Sequence, residues 1–172
     1  MTQQNPMRQI KIEKITLNIG TGGPGDKLEK ALKLLKKVSD ATPVKTKTKK
    51  RIPTWGIRPN LEIGAKITVR GKKAEEILKR LLVAKKNKLM KQKFDKFGNL
   101  SFGLEEYLSI PGVEYDASIG IIGLECAVTL RRNGFRIARR RLQSRSIPAR
   151  HSISQEESIQ FMKEKFNITI EE

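Results

Sequence analysis

Three stretches within the first 71 residues alternate apolar and polar residues with the period of two that predicts β-strands with one buried face. They read IEKITLNIG in residues 12–20, VKTKTKKR in residues 44–51 and AKITVRG in residues 65–71. Because each stretch has a single apolar face, we expect a mainly antiparallel sheet of four to five strands with helices packed on one side. The second stretch is weakly apolar even on its inner face, so we place it at an edge of the sheet.

Three other stretches have the apolar spacing of amphipathic helices. The first begins at Asp26, which matches a capping box with Glu29. Its predicted buried stripe is Leu28, Ala31, Leu32, Leu35 and Val38. The second covers residues 72–90 and becomes rich in lysine towards its end. The third follows a capping box of Ser154 and Glu157, and the tripeptide ITI after it is a candidate closing strand.

This order of elements predicts one α+β domain spanning the chain, ferredoxin-like or RRM-like in arrangement, and 172 residues suffice for a real core. A β-α-β-β-α core is expected in residues 7–90 and an irregular, glycine-rich segment in 91–125. An arginine-rich hairpin is expected in 126–151 and a C-terminal helix in 152–172.

The polar side of the predicted sheet is left uncovered by helices and is therefore available to a ligand. The side chains expected to project from it are Lys14, Thr16, Asn18, Lys45, Lys47, Lys66, Thr68 and Arg70. A cationic sheet of this kind is similar to the sheets with which small RNA-binding domains contact RNA, but it lacks their stacking aromatic residues. Binding is expected to depend on contacts to phosphates and 2′-hydroxyl groups.

Residues 126–155 contain eight arginines, no lysine and no acidic residue. The alternation that starts at Cys126 predicts a strand, and the dipeptide Asn133-Gly134 predicts a tight hairpin turn followed by a return strand. Guanidinium groups bind phosphate oxygens two at a time, so the segment predicts contact with a nucleic acid. The arginines expected to make this contact are Arg136, Arg139, Arg140, Arg141, Arg145 and Arg150.

The composition limits the function classes. A net charge of +18 with 5% aromatic residues argues against a typical metabolic enzyme and predicts a polyanionic partner, a nucleic acid rather than a membrane surface. The one cysteine, Cys126, is expected to be a small buried hydrophobe, and with one histidine, His151, no metal site of the usual His/Cys type is predicted. Without an apolar leader or a long apolar run, we predict a cytoplasmic protein with no cofactor and no membrane segment.

Residues 20–25 match the Gly-x-Gly-x-x-Gly pattern of dinucleotide-binding sites, and they follow a strand and precede a helix. The next predicted strand, however, is half lysine, where that fold needs a buried apolar strand. Asp40 lies before that strand instead of at its far end, and no second βαβ unit follows. We therefore interpret the glycines as a turn whose backbone amides could still meet a phosphate.

Residues 101–125 are the one long segment without lysine or arginine. Acidic side chains in it such as Glu105, Glu106, Glu114 and Asp116 have no histidine near them in sequence, so acid–base catalysis is not favoured. A non-cationic segment in so basic a chain favours contact with a basic protein partner. We predict no enzymatic activity and no small-molecule substrate.

The loop at residues 52–64 contains two prolines, two glycines and the only tryptophan, Trp55. Two interpretations remain open for this side chain. Trp55 could pack onto the core, or the loop could project and touch a partner, with Arg58 and Asn60 as donors to phosphates and base edges.

Several stretches in order carry a family resemblance: IEKITLNIG, IGAKITVRG, FGNLSFGLEEY, IPGVEYDASIGIIGLECAVTL, RNGFRIARRR and SIPARH. From about Met7 to Ile170 the chain resembles the universal large-subunit ribosomal protein family that binds 5S rRNA, the fifth of that subunit's series. The arginine-rich stretch resembles that of the archaeal and eukaryotic branch of the family. The chain also resembles this branch in that no helix is predicted before the first strand.

This resemblance implies a non-enzymatic protein of the central protuberance that binds 5S rRNA and large-subunit, 23S-type rRNA. It implies rRNA contacts for Asn18 and Thr68, whereas a third family position, a glutamine, is Ala41 here and is not carried over. The loop Ile52–Glu62 corresponds to the family's loop facing the P-site tRNA. A free RNA- or DNA-binding module acting off the ribosome is the alternative function.

The resemblance also implies contact with a small-subunit head protein across an intersubunit bridge. We assign this contact to the acidic segment at Glu114, Tyr115 and Asp116.

Overall fold

The computed structural model describes residues 5–171, which form three α-helices and seven β-strands. In chain order these are β1 (Ile10–Gly20), α1 (Asp26–Ser39), β2 (Val44–Lys47), β3 (Glu62–Val69), α2 (Lys72–Ala84), β4 (Lys88–Met90), β5 (Leu100–Leu104), β6 (Leu124–Arg132), α3 (Gln155–Phe166) and β7 (Thr169–Glu171). Short 3₁₀ turns connect several of them.

The main sheet has five antiparallel strands in the order β2-β3-β1-β6-β5. This confirms the α+β class and places β2 at an edge. The longest strand, β1, lies in the middle and pairs along most of its length with β3 and β6. The predicted closing strand is also confirmed, but β7 pairs in parallel with β4 as a separate two-stranded sheet.

The core lies between one face of the main sheet and the helices. Ile15, Leu17 and Ile19 of β1 are at most 4% exposed, and the buried sides of α1 and α2 join them in one cluster. Cys126 pairs with Leu17 across the β1–β6 ladder and is buried. Burial raises the pKa of its thiol to about 12. The interpretation of Cys126 as a small core residue is therefore confirmed.

Helix α1 corrects two details of the sequence analysis. Gly25 occupies the N-cap without a side-chain hydrogen bond, so Asp26 lies in the first turn and the predicted capping box with Glu29 does not form. Leu34 takes the fully buried position expected of Leu32, which is only half-buried. In contrast, the capping box of Ser154 and Glu157 at the start of α3 is confirmed.

Helix α2 ends at Ala84, earlier than predicted, because Lys86 and Asn87 adopt left-handed backbone conformations that turn the chain into β4. The segment 91–125 is also more regular than expected. Its Leu100, Phe102 and Leu104 alternate with exposed residues in β5, which adds a fifth strand beside β6.

The predicted arginine-rich hairpin is wrong beyond its first strand. Asn133-Gly134 makes a turn, but residues 135–138 then form a 3₁₀ helix and not a return strand. The polar groups at the turn have other partners. The backbone carbonyl oxygen of Asn133 lies 2.9 Å from Nε2 of His151, and the side-chain amide of Asn133 donates to the Pro6 carbonyl oxygen. These contacts draw the chain after the turn away from β6.

Within residues 5–171, each helix is too short or too polar to cross a bilayer.

We expect Gly64→Ala to destabilise the fold, because a Cβ at this position in β3 would lie 2.8 Å from the Ile19 carbonyl oxygen and 2.9 Å from Oγ1 of Thr46. The neighbouring backbone would have to move, at a cost of about 1–3 kcal/mol. Thermal or denaturant unfolding measures the loss.

Gly103→Ala is the matched control, since a Cβ on this β5 residue meets nothing within 4 Å. Equal unfolding midpoints for the two variants would show that the close approach of β1, β2 and β3 at Gly64 is not a constraint on the sheet.

Candidate nucleic-acid interface

The register of three neighbouring strands builds one uncovered surface on the main sheet. Residues paired across antiparallel strands project on the same side. Thr16 pairs with Thr68 of β3 and with Ala127 of β6, and Asn18 pairs with Lys66. We call this surface the open face; it includes Val44, Lys66 and Thr68, Lys14, Thr16 and Asn18, Glu125, Ala127 and Thr129, together with Ser101 and Gly103 of β5.

The middle of the open face is made of small side chains. Threonine, threonine, alanine and serine follow one another across β3, β1, β6 and β5, the longer side chains of Lys14, Lys66 and Glu125 lie around them, and the exposed Arg70 lies just beyond β3. A surface without long side chains at its centre can be approached closely by another backbone. The sequence analysis placed Lys14, Thr16, Asn18, Lys66 and Thr68 on this face, and the register confirms it.

Several members of the open face were not predicted as site residues, among them Val44, Glu125, Ser101, Gly103, Ala127 and Thr129. The last two could have been found, because they alternate with apolar residues in a stretch already recognised as a strand. Ser101 and Gly103 were missed because β5 was taken for irregular chain. The exposed Arg131, which pairs with Lys11, extends the same side beyond the β1 bulge.

Lys45 and Lys47 do not lie on the open face, so this part of the prediction is wrong. Val44 pairs with Lys66 and is 59% exposed, which puts Val44 on the open face and Lys45 on the helix side. A bulge opposite Lys47 keeps Lys47 and its partner Glu62 on the helix side as well. The period of two was correct for β2, but its phase was reversed.

Lys45 is part of an ion pair at the helix-side edge. Its Nζ donates to Oε2 of Glu62 at 2.8 Å. This hydrogen bond and the charge of Glu62 raise the pKa of Lys45, and Glu29 of α1 adds to the shift. The hydrogen bond from Lys45 lowers the pKa of Glu62 in turn. The ion pair with Glu62 and the proximity to Glu29 of α1 both place the Lys45 ammonium on the helix side of the sheet, away from the open face.

An acidic side chain orients one predicted contact residue. Nδ2 of Asn18 donates to Oε2 of Glu125 at 3.2 Å, across the β1–β6 pair. The amide of Asn18 is thereby fixed with its oxygen free to accept a hydrogen bond. Glu125 was not expected at this position, because the sequence gives no pairing between residues so far apart in the chain.

The arginine segment, residues 133–152, lies at the end of β6. The predicted contact residues Arg136, Arg139, Arg140, Arg141, Arg145 and Arg150 are all exposed. Arg139 is ion-paired with Glu13, a buried residue at the β1 bulge, and its Nη2 donates to Oε2 at 2.8 Å. The predicted contact residues other than Lys45 and Lys47 therefore fall into two groups, the open face and this segment.

The loop between β2 and β3 projects as an extension of their hairpin. Ile52 and Ile57 form an isolated bridge, and Ile57 is buried, which anchors the base of the tip. The tip is a 3₁₀ turn, Pro53–Trp55, closed by Gly56 in the left-handed region. Trp55 is 73% exposed, so the alternative in which it packs on the core is wrong. Its predicted companions on the loop are exposed as well: Arg58 and Asn60.

The acidic segment is attached to α1 through its backbone. Nζ of Lys37 donates to the Glu114 carbonyl at 2.9 Å, which leaves the Glu114 carboxylate exposed beside Tyr115, itself 60% exposed. Hydrogen bonds from the side chain and backbone of Ser118 lower the pKa of Asp116. These groups present negative charge and one aromatic ring to solvent.

Chemistry other than binding finds little support in the described chain. Residues 5–171 hold no group of three or more His, Cys, Asp or Glu side chains placed to bind a metal ion. The glycine turn before α1 is not a dinucleotide site, because β2 pairs antiparallel to β3 at the sheet edge and not in parallel beside β1. An open, lysine-bearing sheet with an exposed arginine segment defines a protein that binds polyanions.

Comparison with known proteins gives the family. Residues 5–58 match the family model for ribosomal protein L5, and residues 62–161 match the model for the C-terminus of the same ribosomal family. The chain is 47% identical over 169 residues to large ribosomal subunit protein uL5 of Sulfurisphaera tokodaii, covering 98% of this chain and 96% of that protein. It is 48% identical over 168 residues to uL5 of Nanoarchaeum equitans, covering 97% and 99%. The chain belongs to the ribosomal protein L5 family and is a non-enzymatic structural constituent of the large ribosomal subunit.

Proposed function

We propose that the chain binds 5S rRNA through the open face and joins it to the 23S-type rRNA of the large subunit in the central protuberance. Membership of a ribosomal family favours this over a free RNA- or DNA-binding module. The observation that carries the proposal is the register of β1 with β3 and β6. It brings Asn18, Thr16 and Thr68 side by side between Lys14 and Lys66.

The chemistry of the open face suits a folded RNA more than single bases. The threonine hydroxyls can donate and accept hydrogen bonds, and the Asn18 amide oxygen accepts, so together they match a row of 2′-hydroxyl groups. Their small size lets the sugar–phosphate backbone come close to the sheet. Lys14, Lys66 and Arg70 then neutralise phosphates on either side.

The arginine segment supplies a second binding surface for rRNA. Its guanidinium groups bind phosphates bidentately, which adds geometric selectivity to the charge. Because the segment leaves the sheet at the end of β6, it can reach an RNA region different from the one on the open face. Two cationic surfaces on one protein are what a joint between two RNA molecules requires.

Two neighbouring lysines on opposite sides of the sheet test the open face. We expect Lys66→Ala to weaken 5S rRNA binding and to reduce the slope of log K against log salt concentration by roughly 0.7–0.9 for the lost phosphate contact. Lys45→Ala, the matched control, should leave the slope unchanged, because its ammonium lies on the helix side with Glu62. Filter binding or fluorescence titration over a salt series measures both.

Asn18→Ala and Thr68→Ala should also weaken 5S rRNA binding without lowering the melting temperature, because neither side chain fills the core. If Lys45→Ala proves the damaging variant and Lys66→Ala the silent one, the RNA lies on the other side of β2 and the proposal fails.

The projecting loop suits a transient contact with the P-site tRNA. Pro53 and the Ile52–Ile57 bridge stiffen it, so little conformational entropy is lost when Trp55, Arg58 and Asn60 meet a partner. An exposed tryptophan can pack on a ribose or stack on a base, while arginine binds the phosphate. A contact that forms and dissociates in every elongation cycle benefits from such a preformed loop.

We expect Trp55→Ala to reduce P-site tRNA retention on reconstituted subunits while leaving 5S rRNA binding and thermal stability unchanged. Its side chain is mostly exposed, so its removal opens no cavity. Dissociation of deacylated tRNA from the particles is the measurement. Failure of the variant to assemble would mean that the loop anchors rRNA instead.

Glu114→Lys tests the contact with the small subunit. The same variant is the control for the tRNA-retention measurement on Trp55→Ala. We propose that Glu114, Tyr115 and Asp116 contact a basic head protein of the small subunit, because they lie in the one long stretch without positive charge. Reversing the charge should weaken subunit joining and spare tRNA retention. Normal joining by this variant would remove the bridge from this segment.

A further inference from the structure

One of the eight arginines in residues 126–155 differs from the rest, because Arg132 is only 4% exposed. It ends β6 on the core side of the sheet, where it pairs with Ile10. Its Nη2 donates to Oε1 of Glu157 at 2.5 Å, and its Nη1 donates to the carbonyl oxygens of His151 at 3.3 Å and Ser152 at 3.1 Å. Arg132 is thus turned into the protein and bound to protein groups.

Glu157 uses its two oxygens for two different tasks. Oε2 accepts a hydrogen bond from the Ser154 backbone amide and completes the capping box of α3, while Oε1 accepts from Arg132. Partial burial alone would raise the pKa of Glu157, but these hydrogen bonds and the charge of Arg132 lower it overall. The carboxylate therefore stays ionised and ties the end of β6 to the start of α3.

The contacts of Arg132 close the arginine segment into a loop. Arg132 holds the far end of the segment through the carbonyl oxygens of His151 and Ser152. The near end is held by the His151 ring, whose Nε2 lies 2.9 Å from the Asn133 carbonyl and whose edge packs on Phe135 with 5.7 Å between the ring centroids. Both ends of the segment therefore meet within a few contacts of the Arg132–Glu157 ion pair, in which the arginine is buried and the glutamate partly exposed.

Stability alone does not account for this arrangement. Arg132 loses nearly all of its water, and this cost offsets much of what its ion pair with the partly exposed Glu157 contributes. The enclosed segment, however, carries six exposed arginines whose mutual repulsion favours expansion. Holding both ends of such a loop reduces the conformational entropy lost when it binds an anion.

We propose that Arg132 and Glu157 are positioning residues that hold the arginine segment in the shape in which it binds rRNA. Neither contacts the RNA. The inference deepens the proposed function and rests on it for the identity of the ligand. Glu13, through Arg139, supplies a second tether for the same loop.

Glu157→Gln tests the positioning role directly, because simple electrostatics and the positioning role predict opposite changes in RNA affinity. Glutamine can still cap α3, but it loses the ion pair with Arg132. The variant gains one unit of positive charge, so simple electrostatics predicts tighter binding to RNA. The positioning role predicts weaker binding, by roughly threefold to tenfold, from the added cost of ordering the loop.

Glu156→Gln is the matched control. Glu156 is the exposed neighbour in the same first turn of α3, and its substitution makes the same change in charge. It should bind 5S rRNA as tightly as the wild type or slightly more tightly. When Arg136, Arg140 and Arg141 are all replaced by glutamine, Glu157→Gln should have no further effect on affinity.

Hydrogen exchange of the RNA-free protein tests the positioning role of Arg132 and Glu157 separately from the proposal that 5S rRNA is the ligand. The backbone amides of residues 135–150 should exchange faster in Glu157→Gln than in Glu156→Gln, with β1 and β3 unchanged. Unchanged exchange, or 5S rRNA affinity equal in the two variants, would overturn the positioning role. Faster exchange in a protein whose wild type does not bind 5S rRNA would support the tether and refute the proposed ligand.

Discussion

The two-sided pairing of β1 is the constraint on which the rest of the molecule depends. Ile15, Leu17 and Ile19 must be buried, and the helices α1 and α2 cover them. Because side chains alternate along a strand, burying this row leaves Thr16 and Asn18 on the other side. The neighbours β3 and β6 are fixed by the same ladder, so the open face follows directly from the packing of the core.

Charge explains why the chain needs this division into two faces. A net charge of +18 disfavours the compact state through self-repulsion, and a polyanionic partner relieves it. On the core side of the sheet, Lys45 is paired with Glu62 and Arg132 with Glu157. The exposed cations of the open face and of the arginine segment point outward, where RNA phosphates can meet them.

The sequence predicted what depends on local pattern. It indicated β1, β3, their outward residues and the cap of α3, since each follows from alternation or from two nearby side chains. It reversed the phase of β2, because threonine and lysine alternate there and neither is clearly the inner residue. It also missed the burial of Arg132, whose partner Glu157 is 25 positions away and comes near only in the folded chain. Such long-range pairings leave no mark in a local pattern.

Lysine modification with and without bound 5S rRNA tests the central claim most directly, because it reports which side of the sheet the RNA covers. Acetylation followed by peptide mass spectrometry gives a protection ratio for each lysine. The account predicts that RNA protects Lys14 and Lys66 and leaves Lys45 and Lys47 as reactive as in the free protein. Protection of Lys45 and Lys47 with Lys14 and Lys66 still reactive would contradict it.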